Sequence, residues 1–165
     1  MNIFRTSESP ELSARVLADQ HVIKMTTETA QILSTAARRL GLTESFLYRS
    51  THRTHPCVLW TASSRNSAQW ACLHGLALSR EYNHRFGRTH ASGLILEQIS
   101  QILQSFPEAP EEDPPKCVFP EHVSLPLHEA YRETLIAKYL SWTSLGRAPR
   151  WTNRDPPLWW LQRRN

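Results

Sequence analysis

Between Leu17 and Leu40 the apolar positions Ala18, Val22, Met25, Ala30, Ile32, Leu33, Ala36 and Ala37 cover roughly 20° to 180° of a helix measured from His21. That is a broad packing face. His21, Lys24, Glu28, Gln31 and Thr35 fall together in the complementary sector of about 80°. Upstream, Ser9-Pro10-Glu11 offers an N-cap followed by Pro at the first helical position. A helix is therefore predicted from about Pro10 to Leu40, unbroken or with one break, stopping at Gly41.

Thr43 to Arg49 is predicted to add a helical turn before the His-rich connection Thr51 to Pro56, where His55-Pro56 ends a loop and caps the segment leading into Trp60. The next long helix should run from about Ser64 to Phe86, with Ser63 or Ser64 as cap and Gly87 as stop. Leu94 to Phe106 reads as a third, closed by Pro107. Residues 107–126 hold repeated prolines and the acidic run Glu111-Glu112-Asp113, which excludes helix interior and predicts a long irregular loop. Helical periodicity returns from His128 to Leu145. No segment alternates as a strand and no repeat is present. The expectation is a compact all-α single domain over residues 1–165, with a Pro-rich loop at 107–126 and a tail at 146–165.

The helix from Ser64 carries a second asymmetry. Asn66, Trp70, His74, Glu81, His84 and Arg85 gather on one side, opposite the mostly small residues Ala68, Ala71, Cys72, Gly75, Leu78 and Ser79, with Tyr82 and Phe86. The small face predicts close helix packing. A Trp among polar groups needs a cover, either a third element or a ligand. Glu81 and Arg85, four apart, fit a helix-stabilising ion pair.

Composition adds a direction. Lys and Arg number 19 against 15 Asp and Glu, a net charge of +4, which leans toward a polyanionic partner. The excess sits at one end: Arg132, Lys138, Arg147, Arg150, Arg154, Arg163 and Arg164 face only Glu133 and Asp155 within residues 131–165. Four of the six tryptophans, Trp142, Trp151, Trp159 and Trp160, share that segment. Cys57, Cys72 and Cys117 form no framework spacing, so reduced thiols are expected. No stretch near the N-terminus reads as a signal peptide and no window has membrane-span length, so a soluble cytoplasmic protein without membrane partners is expected.

Glu28, with Lys24 one turn before it and His21 two turns before it, supplies the residue types for acid-base work or amine chemistry. A carboxylate neighbour raises a lysine's pKa, so Lys24 fits a phosphate contact better than a nucleophile. The N-terminal α-amine is the better amine, since such groups titrate at about 8. For metal, His52, His55 and Cys57 give H-x-x-H-x-C, which matches no closed zinc signature, and no second Cys/His pair stands at ligand spacing; neither metal nor cofactor is expected. No P-loop, G-x-G-x-x-G, G-x-S-x-G or H-E-x-x-H occurs.

The run "LADQHVIKMTTE" resembles the first helix of the phage pyrimidine-dimer DNA glycosylases of the T4 endonuclease V type, in which a Leu-Ala-Asp-Gln-His run is followed seven residues after the His by the catalytic Glu. His21 and Glu28 have that spacing. The stretch from His55 to Arg88 is similar to the family's long helix, with Glu81, Arg85 and Gly87 at its end, and "RWTNRDPPLWW" is similar in character to its aromatic-basic C-terminus. The chain also resembles uncharacterised phage proteins that begin Met-Asn-Ile-Phe. The resemblance implies an all-α, metal-free enzyme that attacks deoxyribose C1′ with an N-terminal α-amine, forming a Schiff base before β-elimination. It implies acid-base and electrostatic work for Glu28 and phosphate contact for Arg85.

Departures from the family are specific. Asn2 is bulky enough for Met1 to be retained, which places the amine on Met1 rather than on residue 2. Thr27 and Gln31 stand where the family has DNA-gripping arginines. The expected site is therefore Glu28, Met1, Asn2 and His21 for chemistry, with Lys24, Gln31, Asn66, Trp70, Arg85, Arg150, Trp151 and Arg154 against double-stranded DNA. A monomeric DNA glycosylase with AP-lyase activity on a damaged or modified base, in the host cytoplasm if phage-encoded, is the leading expectation. A phage DNA base-modification transferase on the same fold and a non-catalytic nucleic-acid-binding module are the alternatives.

Overall fold

The Ser9 hydroxyl accepts the Leu12 N–H and Pro10 takes the first helical position, so α1 runs Pro10–Arg15. In this computed structural model, which describes residues 1–163, the chain then leaves the helix at Val16 to Ala18 before α2 runs Asp19–Arg39. The break has a local cause. The Arg85 guanidinium donates to the carbonyls of Arg15 (2.9 Å) and Leu17 (2.8 Å), and the Ala18 N–H donates to the Tyr139 hydroxyl (3.0 Å). Backbone groups that would continue the helix are satisfied sideways instead.

The remaining helices are α3 Pro56–Ser63, α4 Arg65–Phe86, α5 Ala91–Gln101, α6 Leu127–Ser144 and α7 Leu158–Leu161, with 3₁₀ turns at Leu103–Ser105 and Pro120–His122. No strand occurs among the described residues, so the fold is all-α. No helix among them is long and apolar enough to cross a membrane. Ser64 and Gly87 bound α4 as expected, with Gly87 at φ 63°. Three expectations change. Thr43 to Arg49 forms no helix, because Arg38 donates to the carbonyls of Leu47 and Tyr48, both at 2.8 Å. Residues 56–63, expected as a lead-in, are α3, capped by His55 Nδ1 accepting the Cys57 N–H at 3.2 Å. The third predicted helix begins earlier, at Ala91 under the His90 cap, and ends at Gln101.

Helix α4 is central, packed by α1, α2, α3 and α5. At Gly75 an added Cβ would lie 2.8 Å from Thr29 Cγ2 and 2.9 Å from Leu96 Cδ1, so glycine sets how closely α2 and α5 approach. The polar side of α4 is covered as well. Trp70 is buried, its Nε1–H donating to the Glu8 carbonyl (2.9 Å), with the Arg5 guanidinium 4.7 Å above its ring and His74 stacked against it.

The C-terminal tail is a strap rather than a free arm. Trp151 Nε1–H donates to the Val16 carbonyl (3.0 Å), Thr152 Oγ1–H to Asp19 (2.7 Å), and the Asp19 N–H to the Arg150 carbonyl (2.8 Å). Trp151 and Trp160 are buried in one apolar cluster with Phe4, Leu17, Tyr131 and Tyr139. Arg164 of the basic tail and Asn165 lie outside the described residues. The Pro-rich loop is also pinned: the Trp60 indole donates to the Glu112 carbonyl (3.1 Å) and the Tyr131 hydroxyl to the Pro115 carbonyl (2.6 Å).

Candidate active site

Ile3 packs into one of the two apolar clusters and Phe4 into the other, which fixes the N-terminal segment against the helices. Asn2 completes the anchoring: its Nδ2 donates to the Cys117 carbonyl (2.7 Å) and its Oδ1 accepts the Ile3 N–H (2.8 Å). Both nitrogens at the chain start then face Glu28 in mid-α2. The Asn2 N–H donates to Glu28 Oε2 at 3.0 Å, and the Met1 amine lies 3.9 Å from the same oxygen. Glu28 Oε1 lies 3.3 Å from Lys24 Nζ, the i,i+4 pair expected from spacing. The Glu28 side chain is 12% exposed and that of Lys24 67%. The carboxylate is thus partly sheltered, and the lysine head group stands in solvent.

This arrangement brings together Met1, Asn2, Lys24 and Glu28 from the expected set. A carboxylate beside an amine can take its proton and stabilise a developing cation, both of which amine addition to a sugar carbon needs. Gln31 follows one turn later on α2 and is half-buried.

His21 does not join them. It is buried between Phe4, Tyr139 and Trp142, with Nδ1 3.0 Å from the Tyr139 hydroxyl. Burial, reinforced by Lys138 and Lys24, pushes it down to about 3, so it is a neutral core group. Arg85, expected at a phosphate, does not reach the surface either. Its side chain has no exposed surface and donates to Glu81, Asp19 and two carbonyls, which leaves no donor facing a phosphate. Burial alone would raise the Glu81 carboxyl, but hydrogen bonds from Arg154 and the Arg85 charge hold it below its ordinary value. Arg154 is held by that pairing at 2.7 Å. Trp70 and Trp151, expected against DNA, are in the core instead, and the cover that Trp70 needed is supplied by the protein itself.

Besides Lys24 and Gln31 on α2, two expected contacts lie on the surface. Asn66 is exposed in the first turn of α4, at the opposite end of that helix from the Arg85–Asp19 contact. Arg150 is exposed and lines, with Gln20, Trp142 and Arg147, an open groove of about 870 Å³ beside the start of α2. Sequence reasoning missed the other flank. Arg49 and Arg53 are exposed in the loop whose Thr51 N–H donates to Thr35 Oγ1 (3.1 Å), on the edge of α2 that carries Gln31. Their signal was present as the basic run Arg49 to His55.

Beside Asn2 the fold also gathers His55, Cys57 and Cys117, with one ring nitrogen and two sulfurs all within 4.8 Å of one another. These residue types can hold a soft divalent metal.

The sequence profile of the pyrimidine dimer DNA glycosylase family matches residues 1–92, the segment that supplies the N-terminus, Glu28 and α4. No curated protein and no solved structure matches the chain. The match covers more than half of the sequence and includes the run from Leu17 to Glu28, so the function is of the DNA glycosylase type and its partner is DNA: the chain belongs to the pyrimidine dimer DNA glycosylase family.

Proposed function

We propose that the protein is a DNA glycosylase with AP-lyase chemistry, acting as a monomer on a damaged or modified base in double-stranded DNA. The observation that carries this reading is the approach of the Met1 amine to Glu28 Oε2 at 3.9 Å, with the Asn2 nitrogen at 3.0 Å from the same atom. The carboxylate serves the amine in either register. If Met1 stays, the nucleophile is its amine; if Met1 is removed, it is the nitrogen of Asn2.

The amine nitrogen bonds to deoxyribose C1′ as the N-glycosidic bond breaks and the base leaves. Glu28 takes the proton that the amine sheds and returns it to the ring oxygen as the sugar opens to an iminium. Glu28, a carboxylate again, then takes a C2′ proton, and the C–H electron pair forms the C2′–C3′ double bond as the 3′ phosphate leaves by β-elimination. The target nucleotide, or its partner, leaves the stack to bring C1′ to the amine. Lys24 and Gln31 on the edge of α2 contact phosphates beside the cut, with Arg147 and Arg150 on one flank and Arg49 and Arg53 on the other. Asn66 adds a polar contact at the start of α4.

Borohydride reduction with duplex carrying an abasic site or a pyrimidine dimer tests the reading. A covalent protein–DNA adduct, mapped to the N-terminal residue, is the expected result. Salt-sensitive DNA binding without an adduct would reject the amine chemistry and leave a DNA-binding fold.

A further inference from the structure

Cys117 is 60 positions from Cys57 in the chain, and the Pro-rich loop delivers it to 3.7 Å between the two sulfurs. Two thiolates on one tetrahedral zinc, at about 2.3 Å each, stand about 3.8 Å apart. The thiol pair, now in hydrogen-bond contact, already has the separation that two thiolates on one metal require, and is far beyond the roughly 2.05 Å of a disulfide. His55 closes the third side, with all three ligand atoms within 4.8 Å. Asn2 Oδ1, which accepts the Ile3 N–H, lies 4.0 Å from Cys57 Sγ at the border of the cluster.

We infer that His55, Cys57 and Cys117 form a binding site for a soft divalent cation of the zinc class. It departs from the metal-free expectation because the third ligand is invisible to local spacing: H-x-C at residues 55–57 is an incomplete motif until the loop from Pro107 to Pro126 folds over α3. Binding draws a His55 ring nitrogen in from its present distance of up to 4.8 Å toward the sulfurs, by a small movement of a ring that already caps α3 through Nδ1. The consequence is structural. The ion would tie the Pro-rich loop to α3 directly beneath Asn2, whose amide already bridges to Cys117. The segment carrying the N-terminal amine is thereby held in place without the metal touching the reacting carbon. The site is independent of the glycosylase reading and stands or falls separately.

Cobalt(II) is the probe. The full-length protein, reduced and stripped with chelator, is titrated with cobalt chloride and then with zinc chloride. One equivalent of cobalt should produce thiolate-to-cobalt charge transfer and the visible bands of a tetrahedral ion, and one equivalent of zinc should bleach both. Cys57→Ser and Cys117→Ser should each lose stoichiometric binding, whereas Cys72→Ser, whose thiol contacts the Leu96 carbonyl elsewhere in the core, should retain it. Wild-type protein that stays folded by circular dichroism yet gives no tetrahedral bands overturns the proposal. So do bands that survive Cys117→Ser, or recovery of the two cysteines as a disulfide with no metal uptake after reduction. Protection of two thiols from a chromogenic disulfide reagent by one equivalent of zinc gives a second readout on the wild-type chain, which needs no variant to fold.

Discussion

The backbone nitrogen of Asn2 and the Oε2 atom of Glu28 are joined by a 3.0 Å hydrogen bond across 26 positions of sequence. The chain start is thereby tied to the middle of α2. The bond aligns the amine with a carboxylate that already has Lys24 on its other oxygen. Glu28→Gln keeps the size of the side chain and removes its capacity to take a proton. Turnover on lesion-containing duplex should fall by about 10²- to 10⁴-fold, while DNA affinity stays within a few-fold. Unchanged turnover would remove Glu28 from the chemistry.

Two amines lie near that carboxylate, and they are separable. Lys24→Ala should leave the borohydride adduct intact and lower the log–log salt dependence of DNA binding by about 0.9, the loss of one phosphate contact. Acetylating the N-terminus, checked by intact mass, should abolish the adduct. An adduct that disappears with Lys24→Ala and survives acetylation would make the lysine the nucleophile.

Arg85 distinguishes a core role from a DNA role. Its guanidinium is buried against Asp19 and Glu81 and holds the carbonyls at the α1–α2 break. Removing one partner of a buried charge cluster costs about 3–5 kcal/mol, because the remaining carboxylates lose their compensation. Arg85→Met should therefore lower the urea midpoint sharply. The fraction that remains folded should bind DNA with unchanged affinity and unchanged salt slope. A normal midpoint with a shallower slope would restore Arg85 to the DNA interface.

Much of this was legible from the sequence where the signals are local. Ser9-Pro10, Ser64 and Gly87 mark helix ends through their own caps, and the Lys24–Glu28 pair follows from a four-residue step. Helix α3 was missed because eight residues that are apolar nearly all round, Pro56 to Ser63, show no periodicity to read. The polar side of α4 was misread for a different reason. Trp70 and Arg85 are satisfied by carbonyls of Glu8, Arg15 and Leu17, 62 to 70 positions away. A carbonyl has no identity in the sequence, so a buried polar residue that it satisfies looks like a site. The Cys57–Cys117 proximity is hidden in the same way, since it depends on the path of an irregular loop.

Acid should unfold the protein through two histidines. His74 has no exposed surface and no hydrogen-bond partner for either ring nitrogen, and burial pushes it down to about 3, as it does His21. Between that value and the ordinary 6.5 of an unfolded histidine, the unfolded chain binds protons that the folded chain does not. Stability therefore rises with pH through this window: it is fully present above about 6.5 and is lost as pH falls toward about 3. Each histidine contributes a slope of at most about 1.4 kcal/mol per pH unit. His74→Phe replaces the ring stacked on Trp70 with one that cannot titrate. Urea unfolding of the two proteins at pH 7 and pH 5 should show the variant losing less stability between them, by about 2 kcal/mol. Equal losses would mean that His74 is protonated in the fold, with water or a counter-charge reaching it.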